Sequence, residues 1–265
     1  MRAHTFTSSD GVQLAYDEAG HGRATPIVLC HGLAATGEQF AADAAFFAGL
    51  GHRVLVPHLR GHGRSATPEP PTETSLSIAR LAADLAEMLD DAGADRVHWV
   101  GNSLGGIVAL EMLPARRFRT LATFGTTYAI RLPRIGGHRV IAAGHRLLGG
   151  NALAALAART TSRDPAAQRL IEKMLREVRP EVTATLAGVL TQYDLIAAGE
   201  AADIPVLLLR CGEDRLVNAG LGDTLRAMQR KPNFRLVDVP RGGHVANLDA
   251  TDAVRAALLA FWSDS

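Results

Sequence analysis

Ser103, Asp214 and His244 are the residue types that an acyl-transfer reaction requires. A serine hydroxyl is a poor nucleophile near neutral pH. It needs a base within hydrogen-bond reach, and that base needs a carboxylate to fix its tautomer and orientation. Ser103 stands at the centre of Gly101-Asn102-Ser103-Leu104-Gly105-Gly106, a G-x-S-x-G pattern. The chain order Ser, Asp, His is the one expected when the nucleophile sits on a sharp strand-to-helix turn. The choice of acid stays open at this point. Glu213 adjoins Asp214, Asp238 closes a later apolar run, and Asp214 is itself placed to cap a helix beginning near Leu216. His244 follows Gly242-Gly243, a pair that suits a loop presenting a side chain. His31, His58 and His62 precede the serine and have no carboxylate close in sequence, so they are expected to form walls or brace loops.

The surrounding sequence supplies the turn. Arg96–Val100 is short, apolar and β-prone, and Ile107–Leu113 resumes with helical character. Gly101 and Gly105 flank Ser103 because side chains there would collide across so tight a bend. Gly106 lets the helix lie close to the strand. A tetrahedral intermediate also needs hydrogen-bond donors for its oxyanion. The backbone N–H of Leu104 at the helix start is one candidate, and that of Leu33, after His31-Gly32, is the second.

Composition narrows the class. The chain has 265 residues, 47% hydrophobic and 21% charged, with a net charge of +1, which gives no argument for nucleic acid or a membrane surface as partner. Cys30 and Cys211 are isolated, without metal-type spacing, and suit a reducing compartment such as the cytoplasm. The first residues show no apolar signal-like run, and no 18-residue apolar stretch occurs.

Read in order, His4–Ser8 and Val12–Tyr16 form a hairpin about Asp10-Gly11. Strands are expected at Pro26–Cys30, Arg53–Pro57, Arg96–Val100, Arg119–Phe124, Pro205–Cys211 and Phe234–Val239. Helices are expected at Gly37–Leu50, Ser77–Asp91, Leu221–Gln229 and Asp252–Trp262. The alternation argues a mainly parallel sheet covered on both faces. Between Thr126 and Gly199 the rhythm changes. No strand is expected there, and helices are read at Ile141–Leu148, Ala152–Arg159, Pro165–Glu177 and Pro180–Leu195. This gives a core of 1–125 and 200–265 with a helical insertion, 126–199. The insertion is basic, with Arg131, Arg134, Arg139, Arg146, Arg159, Arg163, Arg169, Lys173, Arg176 and Arg179. That charge fits either a solvated face or a preference for anionic substrates.

Five ordered motifs resemble the α/β-hydrolase family: His31-Gly32-Leu33, Arg60-Gly61-His62-Gly63-Arg64-Ser65, the elbow around Ser103, Asp214-Arg215-Leu216-Val217, and Gly243-His244-Val245-Ala246-Asn247-Leu248. The resemblance implies an eight-stranded, mostly parallel sheet flanked by helices, a helical cap over the serine, and hydrolysis through an acyl-serine with no cofactor or metal. Two departures stand out. His58 occupies a position where the family often has Asp. The elbow Gly101-Asn102-Ser103 is similar to that of carbon–carbon bond hydrolases, which commonly carry Trp directly after the histidine, whereas Val245 stands here.

The expected function is a serine hydrolase cleaving a carboxylic ester or lactone of a small to medium, largely apolar molecule. In it Ser103 is the nucleophile, His244 the base, Asp214 the orienting acid, and Leu33 and Leu104 the oxyanion donors. A carbon–carbon hydrolase acting on a vinylogous diketone and a non-catalytic ligand sensor on the same fold are the alternatives. The expected partner is a small-molecule substrate.

Overall fold

The computed structural model describes residues 1–131 and 150–264. An eight-stranded sheet runs through it, built from β1 (Arg2–Thr7), β2 (Gln13–Ala19), β3 (Ile27–Cys30), β4 (Val54–His58), β5 (Val97–Asn102), β6 (Phe118–Phe124), β9 (Val206–Cys211) and β10 (Phe234–Val239). Two further strands, β7 (Ala129–Arg131) and β8 (Gln192–Asp194), pair apart from it. The order across the large sheet is β1-β2-β4-β3-β5-β6-β9-β10. β1, β2 and β4 pair antiparallel, and every later pairing is parallel. The hairpin forms as expected, with Gly11 at φ 85° in its turn, a conformation costly for any residue bearing a Cβ. The fold is that of an α/β hydrolase.

Helices cover both faces. They are α1 (Ala41–Gly49), preceded by a 3₁₀ turn at Gly37–Phe40, α2 (Ile78–Asp91), α3 (Leu104–Met112), α4 (residues 150–161), α5 (Pro165–Glu177), α6 (Pro180–Val189), α7 (Ile196–Ala201), α8 (Arg215–Gly220), α9 (Gly222–Met228), α10 (Ala246–Asp249) and α11 (Thr251–Ser263). The parallel strands are apolar on both faces because each face has a helical layer to bury against. Val28, Trp99, Leu121 and Leu208 point to the side of α2 and α3. Ile27, Leu29, Val100, Ala122 and Leu207 point to the side of α1 and α11. Each fully buried Leu or Phe here is worth roughly 1.5–3 kcal/mol of transfer free energy. Cys30 and Cys211 are both buried free thiols within these layers.

α2 shows how local sequence sets an element. Ser77 caps it by accepting from Arg80 N, and Leu81, Leu85, Met88 and Leu89 form its buried stripe. Gly93 then takes φ 59° and turns the chain away.

Between β6 and β9 two expectations need correction. β7 and β8 form an antiparallel pair with Ile130 opposite Tyr193, so the stretch does contain strands. The helix read at Pro180–Leu195 stops at Val189, and its last residues include β8. At three residues each, these strands are too short to show alternation, and only pairing with each other defines them. α5 spans the expected Pro165–Glu177, started by Asp164, whose side chain accepts from Ala167 N, and by Pro165 at its first position. The expected helix Ile141–Leu148 lies outside the described residues.

Candidate active site

Ser103 lies in the turn between β5 and α3 with φ 51° and ψ −116°, one of three described non-glycine residues at positive φ. Strain of this kind persists only where the surroundings over-determine it. Ser103 N donates to Phe124 O at 3.0 Å, and Ser103 O accepts from Gly106 N and Ile107 N. The flanking glycines are demanded by contact. A Cβ on Gly101 would fall 2.5 Å from Gly105 O, one on Gly105 would fall 2.4 Å from Cys30 O, and one on Gly106 would fall 2.5 Å from Thr126 Oγ1.

The loop after β3 lies against the elbow, since a Cβ on Gly32 would sit 3.2 Å from Ser103 Cβ. Leu33 follows directly. Among the described residues, neither Leu33 N nor Leu104 N has an acceptor. Both are thus available as the donors expected of an oxyanion site. The Leu33 loop is held by two imidazoles. Leu59 N donates to His31 Nε2 at 3.1 Å, which leaves His31 Nδ1–H for Gly32 O at 2.8 Å. Ala34 N donates to His62 Nε2 at 3.2 Å, and His62 Nδ1 lies 2.9 Å from Arg60 O. Each ring must be neutral to accept. Burial favours that form, lowering His62 to about 4 and His31 well below its ordinary value.

The expectation that all three early histidines lack a carboxylate holds for two of them. His58 Nε2 lies 3.2 Å from Asp17 Oδ2, a partner 41 residues away on β2, while its Nδ1 faces Gly37 N at 3.4 Å. Asp17 also binds Arg64 at 2.6 Å.

His244 and Asp214 meet. His244 Nδ1 lies 2.8 Å from Asp214 Oδ2, and Asp214 is buried. Asp214 Oδ1 accepts from Val217 N at 3.3 Å, capping α8. One oxygen of Asp214 thus caps α8 while the other faces the imidazole. The rival carboxylates are engaged elsewhere. Glu213 pairs with Arg163 at 2.9 Å, and Asp238 pairs with Arg210 at 2.6 Å.

The base loop is tied to the residue preceding the serine, because Asn102 Nδ2 donates to His244 O at 2.8 Å. A buried polar network continues from there. Gln39 Nε2 donates to Asn102 Oδ1 at 2.9 Å and to Asn247 Oδ1 at 3.1 Å, while Gln39 Oε1 accepts from Gly32 N at 3.4 Å. Asn247 Nδ2 donates to Asp43 Oδ2 at 2.9 Å, and Arg255 Nε closes the chain on Asp43 Oδ1 at 2.8 Å. Gln39 and Asp43 were not among the residues singled out from sequence, and Asn247, though inside the motif around His244, was given no role there. The signal for all three is the burial of polar side chains that find partners only in the fold.

A cavity of about 80 Å³ opens here, lined by Leu33, Ala35, Ala157, Ile171, Met174, Val245 and His244 among others, with no Arg or Lys among the described residues. The described basic residues of the 126–199 segment face outward. Arg131 pairs with Asp194, Arg163 with Glu213, Lys173 with Glu38 and Glu177, Arg176 with Glu172, and Arg179 with Glu69. Arg134, Arg139 and Arg146 lie outside the described residues. Tyr128 and Tyr193 are buried, and Tyr193 Oη pairs with Thr127 Oγ1 at 2.9 Å. A larger hollow of about 550 Å³ lies at the opposite, N-terminal ends of β5, β6 and β9, beside Arg96, Leu113 and Phe118, with no Ser, Cys or His among its described lining residues.

Comparison with known proteins agrees with this geometry. The family model of the alpha/beta hydrolase family matches residues 27–257. Over 103 residues the chain is 38% identical to epoxide hydrolase A of Mycobacterium tuberculosis, a match covering 39% of this chain and 31% of that protein. The chain spans between 31% and 41% of the length of the first curated relatives it matches. Among solved structures, a hydrolase from Pseudomonas aeruginosa PA01 superposes with a TM-score of 0.84 at 25% identity, over 98% of each chain. The enol-lactonase from Burkholderia xenovorans LB400 shares the fold with a TM-score of 0.84 at 23% identity, over 98% of this chain and 100% of that one. The chain belongs to the alpha/beta hydrolase family. Among the described residues, no helix is long and apolar enough to cross a membrane.

Proposed function

We propose that this protein is a serine hydrolase that cleaves a carboxylic ester or lactone of a small to medium, largely apolar molecule through an acyl-Ser103 intermediate. The observation that carries the reading is the 2.8 Å contact of His244 Nδ1 with Asp214 Oδ2 in a loop hydrogen-bonded to the residue before Ser103. In this mechanism Ser103 Oγ attacks the carbonyl carbon and gives its proton to His244 Nε2. Asp214 holds the Nδ1–H tautomer and stabilises the imidazolium. The carbonyl oxygen becomes an oxyanion held by the N–H groups of Leu33 and Leu104. His244 returns the proton to the leaving alkoxide, the acyl-enzyme remains, and water activated by His244 releases the acid and restores Ser103. The 126–199 segment serves as a cap, supplying Ala157, Ile171 and Met174 to the apolar wall.

The nucleophile argues against ring-opening of an epoxide, which the names of several relatives suggest. A serine attacking an epoxide carbon would leave a β-hydroxy ether, with no carbonyl for water to attack. The Asn102 side chain, the feature that suggested a carbon–carbon substrate, is occupied by His244 O, Phe124 O and Gln39. That favours the ester or lactone reading.

The test is turnover of p-nitrophenyl esters and simple lactones, with fluorophosphonate labelling mapped by mass spectrometry. Label on Ser103, and a loss of several orders of magnitude in Ser103→Ala with the fold unchanged, is the expected result. Unchanged turnover in Ser103→Ala ends the proposal.

A further inference from the structure

Three consecutive residues at the junction of α4 and α5, Thr161 to Arg163, grip both of the loops that carry His244 and Asp214. Thr161 O accepts from His244 N at 3.3 Å. Ser162 Oγ donates to Asp249 Oδ1, and the other oxygen of that carboxylate accepts at 3.0 Å from the N–H of Gly243, the residue before His244. Arg163 Nε lies 2.9 Å from Glu213 Oε2, on the residue before Asp214. The fit is close. A Cβ on Gly243 would fall 2.4 Å from Asp249 Oδ2 and 2.8 Å from Thr161 O, so only glycine lets the turn lie against the loop. Ser162 is 3% exposed and fixed from its other side, since Asp164 N donates to its Oγ at 3.0 Å and Gln168 Nε2 to its carbonyl at 2.8 Å.

We infer that Thr161-Ser162-Arg163 is a positioning strap, in which Ser162, through Asp249, and Arg163, through Glu213, set the placement of the His244–Asp214 pair. The inference rests on the serine-hydrolase reading and deepens it. The elements flanking the strap also line the cavity, through Ala157 and Thr161 on one side and Ile171 and Met174 on the other. The same segment therefore walls the substrate space and holds the base. Rates are sensitive to such placement, because a displacement of about 1 Å remote from the reacting atoms can cost on the order of 10²-fold.

The experiment uses the full chain with Ser162→Ala, Arg163→Ala and the double variant, and Arg179→Ala as a control on the same segment. Three readings are taken: kcat and KM on p-nitrophenyl butyrate, the rate of fluorophosphonate labelling, and the low-field proton resonance of His244 Nδ1–H. Ser162→Ala is expected to lower kcat about tenfold with KM within about twofold, and to slow labelling by the same factor. It should also shift or broaden the imidazole resonance, while the thermal midpoint changes little. Arg163 is exposed, so Arg163→Ala keeps the fold and carries the test, with an expected fall of about threefold, even if Ser162→Ala does not fold. A double variant with unchanged kcat, labelling rate and resonance overturns the strap, as does an equal loss in Arg179→Ala. Failure of the serine reading looks different: wild-type protein would escape labelling at Ser103, while the resonance would still report whether the strap holds the imidazole.

Discussion

Gln39 and Asn247, 208 positions apart in the chain, bind each other in both directions: Gln39 Nε2 donates to Asn247 Oδ1 at 3.1 Å, and Asn247 Nδ2 donates to Gln39 O at 2.9 Å. The same Gln39 amide reaches the elbow through Asn102 and the Leu33 loop through Gly32. One side chain thus connects the nucleophile turn, the oxyanion loop and the helix that follows the base. Gln39→Leu leaves the buried Asn102 Oδ1, Asn247 Oδ1 and Gly32 N without their partner. Each such group costs about 1–3 kcal/mol, so a loss of about 3 kcal/mol or more is expected in urea unfolding. Ester turnover should fall with it. A loss under about 1 kcal/mol would show that the network relaxes without it.

The shared carboxylate of Asp214 separates chemistry from stability. Asparagine caps a helix nearly as well as aspartate. It cannot stabilise an imidazolium. Asp214→Asn should therefore lower kcat on the order of 10³–10⁴-fold while the unfolding midpoint stays close to wild type. Asp238→Asn, which touches only Arg210 at the surface, should leave turnover unchanged. Equal rates in both variants would remove Asp214 from the mechanism.

Acid should weaken the Leu33 loop through its histidines. His62 titrates near 6.5 when unfolded and is lowered to about 4 by burial in the native protein. Between these values the unfolded chain binds more protons, so stability rises with pH. Its contribution is fully present above about pH 6.5 and is lost as pH falls toward 4. His31, also held well below its ordinary value by burial, adds in the same direction. Denaturant unfolding from pH 7.5 to 4.5 should show this slope, and His62→Gln should flatten it. A slope unaltered by that substitution would place the acid sensitivity elsewhere.

Arg60 is the only arginine whose side chain is fully buried among the described ion pairs, and it bridges two carboxylates. Its Nε and Nη2 bind Asp84 at 2.8 and 2.7 Å, and its Nη1 reaches Asp10 at 2.7 Å. Arg60→Met leaves the buried Asp84 carboxylate to Arg80 alone, which bonds its Oδ1 at 3.1 Å, and a loss of about 3 kcal/mol is expected from thermal or urea unfolding. Adding Asp84→Leu should recover much of it. If the double variant is no more stable than the single one, the cost lies in packing.

The proposed reacting groups stand out in the sequence because their chemistry restricts residue type. A serine between spaced glycines, followed by an acid and a histidine after apolar runs, has few other readings. The bounds of α5 were readable for a similar reason, since Asp164-Pro165 is a local start signal. What holds the site was not readable. Asp17 meets His58 across 41 positions, and Gln39 meets Asn102 across 63. Those pairings exist only because the sheet brings β2 beside β4 and β3 beside β5. β7 and β8 escaped notice because three-residue strands have no period of their own, and only their mutual register identifies them.

Both thiols of the chain are sequestered, Cys30 in the layer under α3 and Cys211 at the end of β9, and burial pushes Cys211 up to about 12 and Cys30 further. Reactivity belongs to the thiolate, so neither competes for electrophiles at neutral pH. A cysteine engineered onto an exposed position of α5 or α6 would then be the sole site for a maleimide dye or spin label. Movement of that segment during turnover could be tracked by spectroscopy without first stripping the native sulfur atoms from the protein.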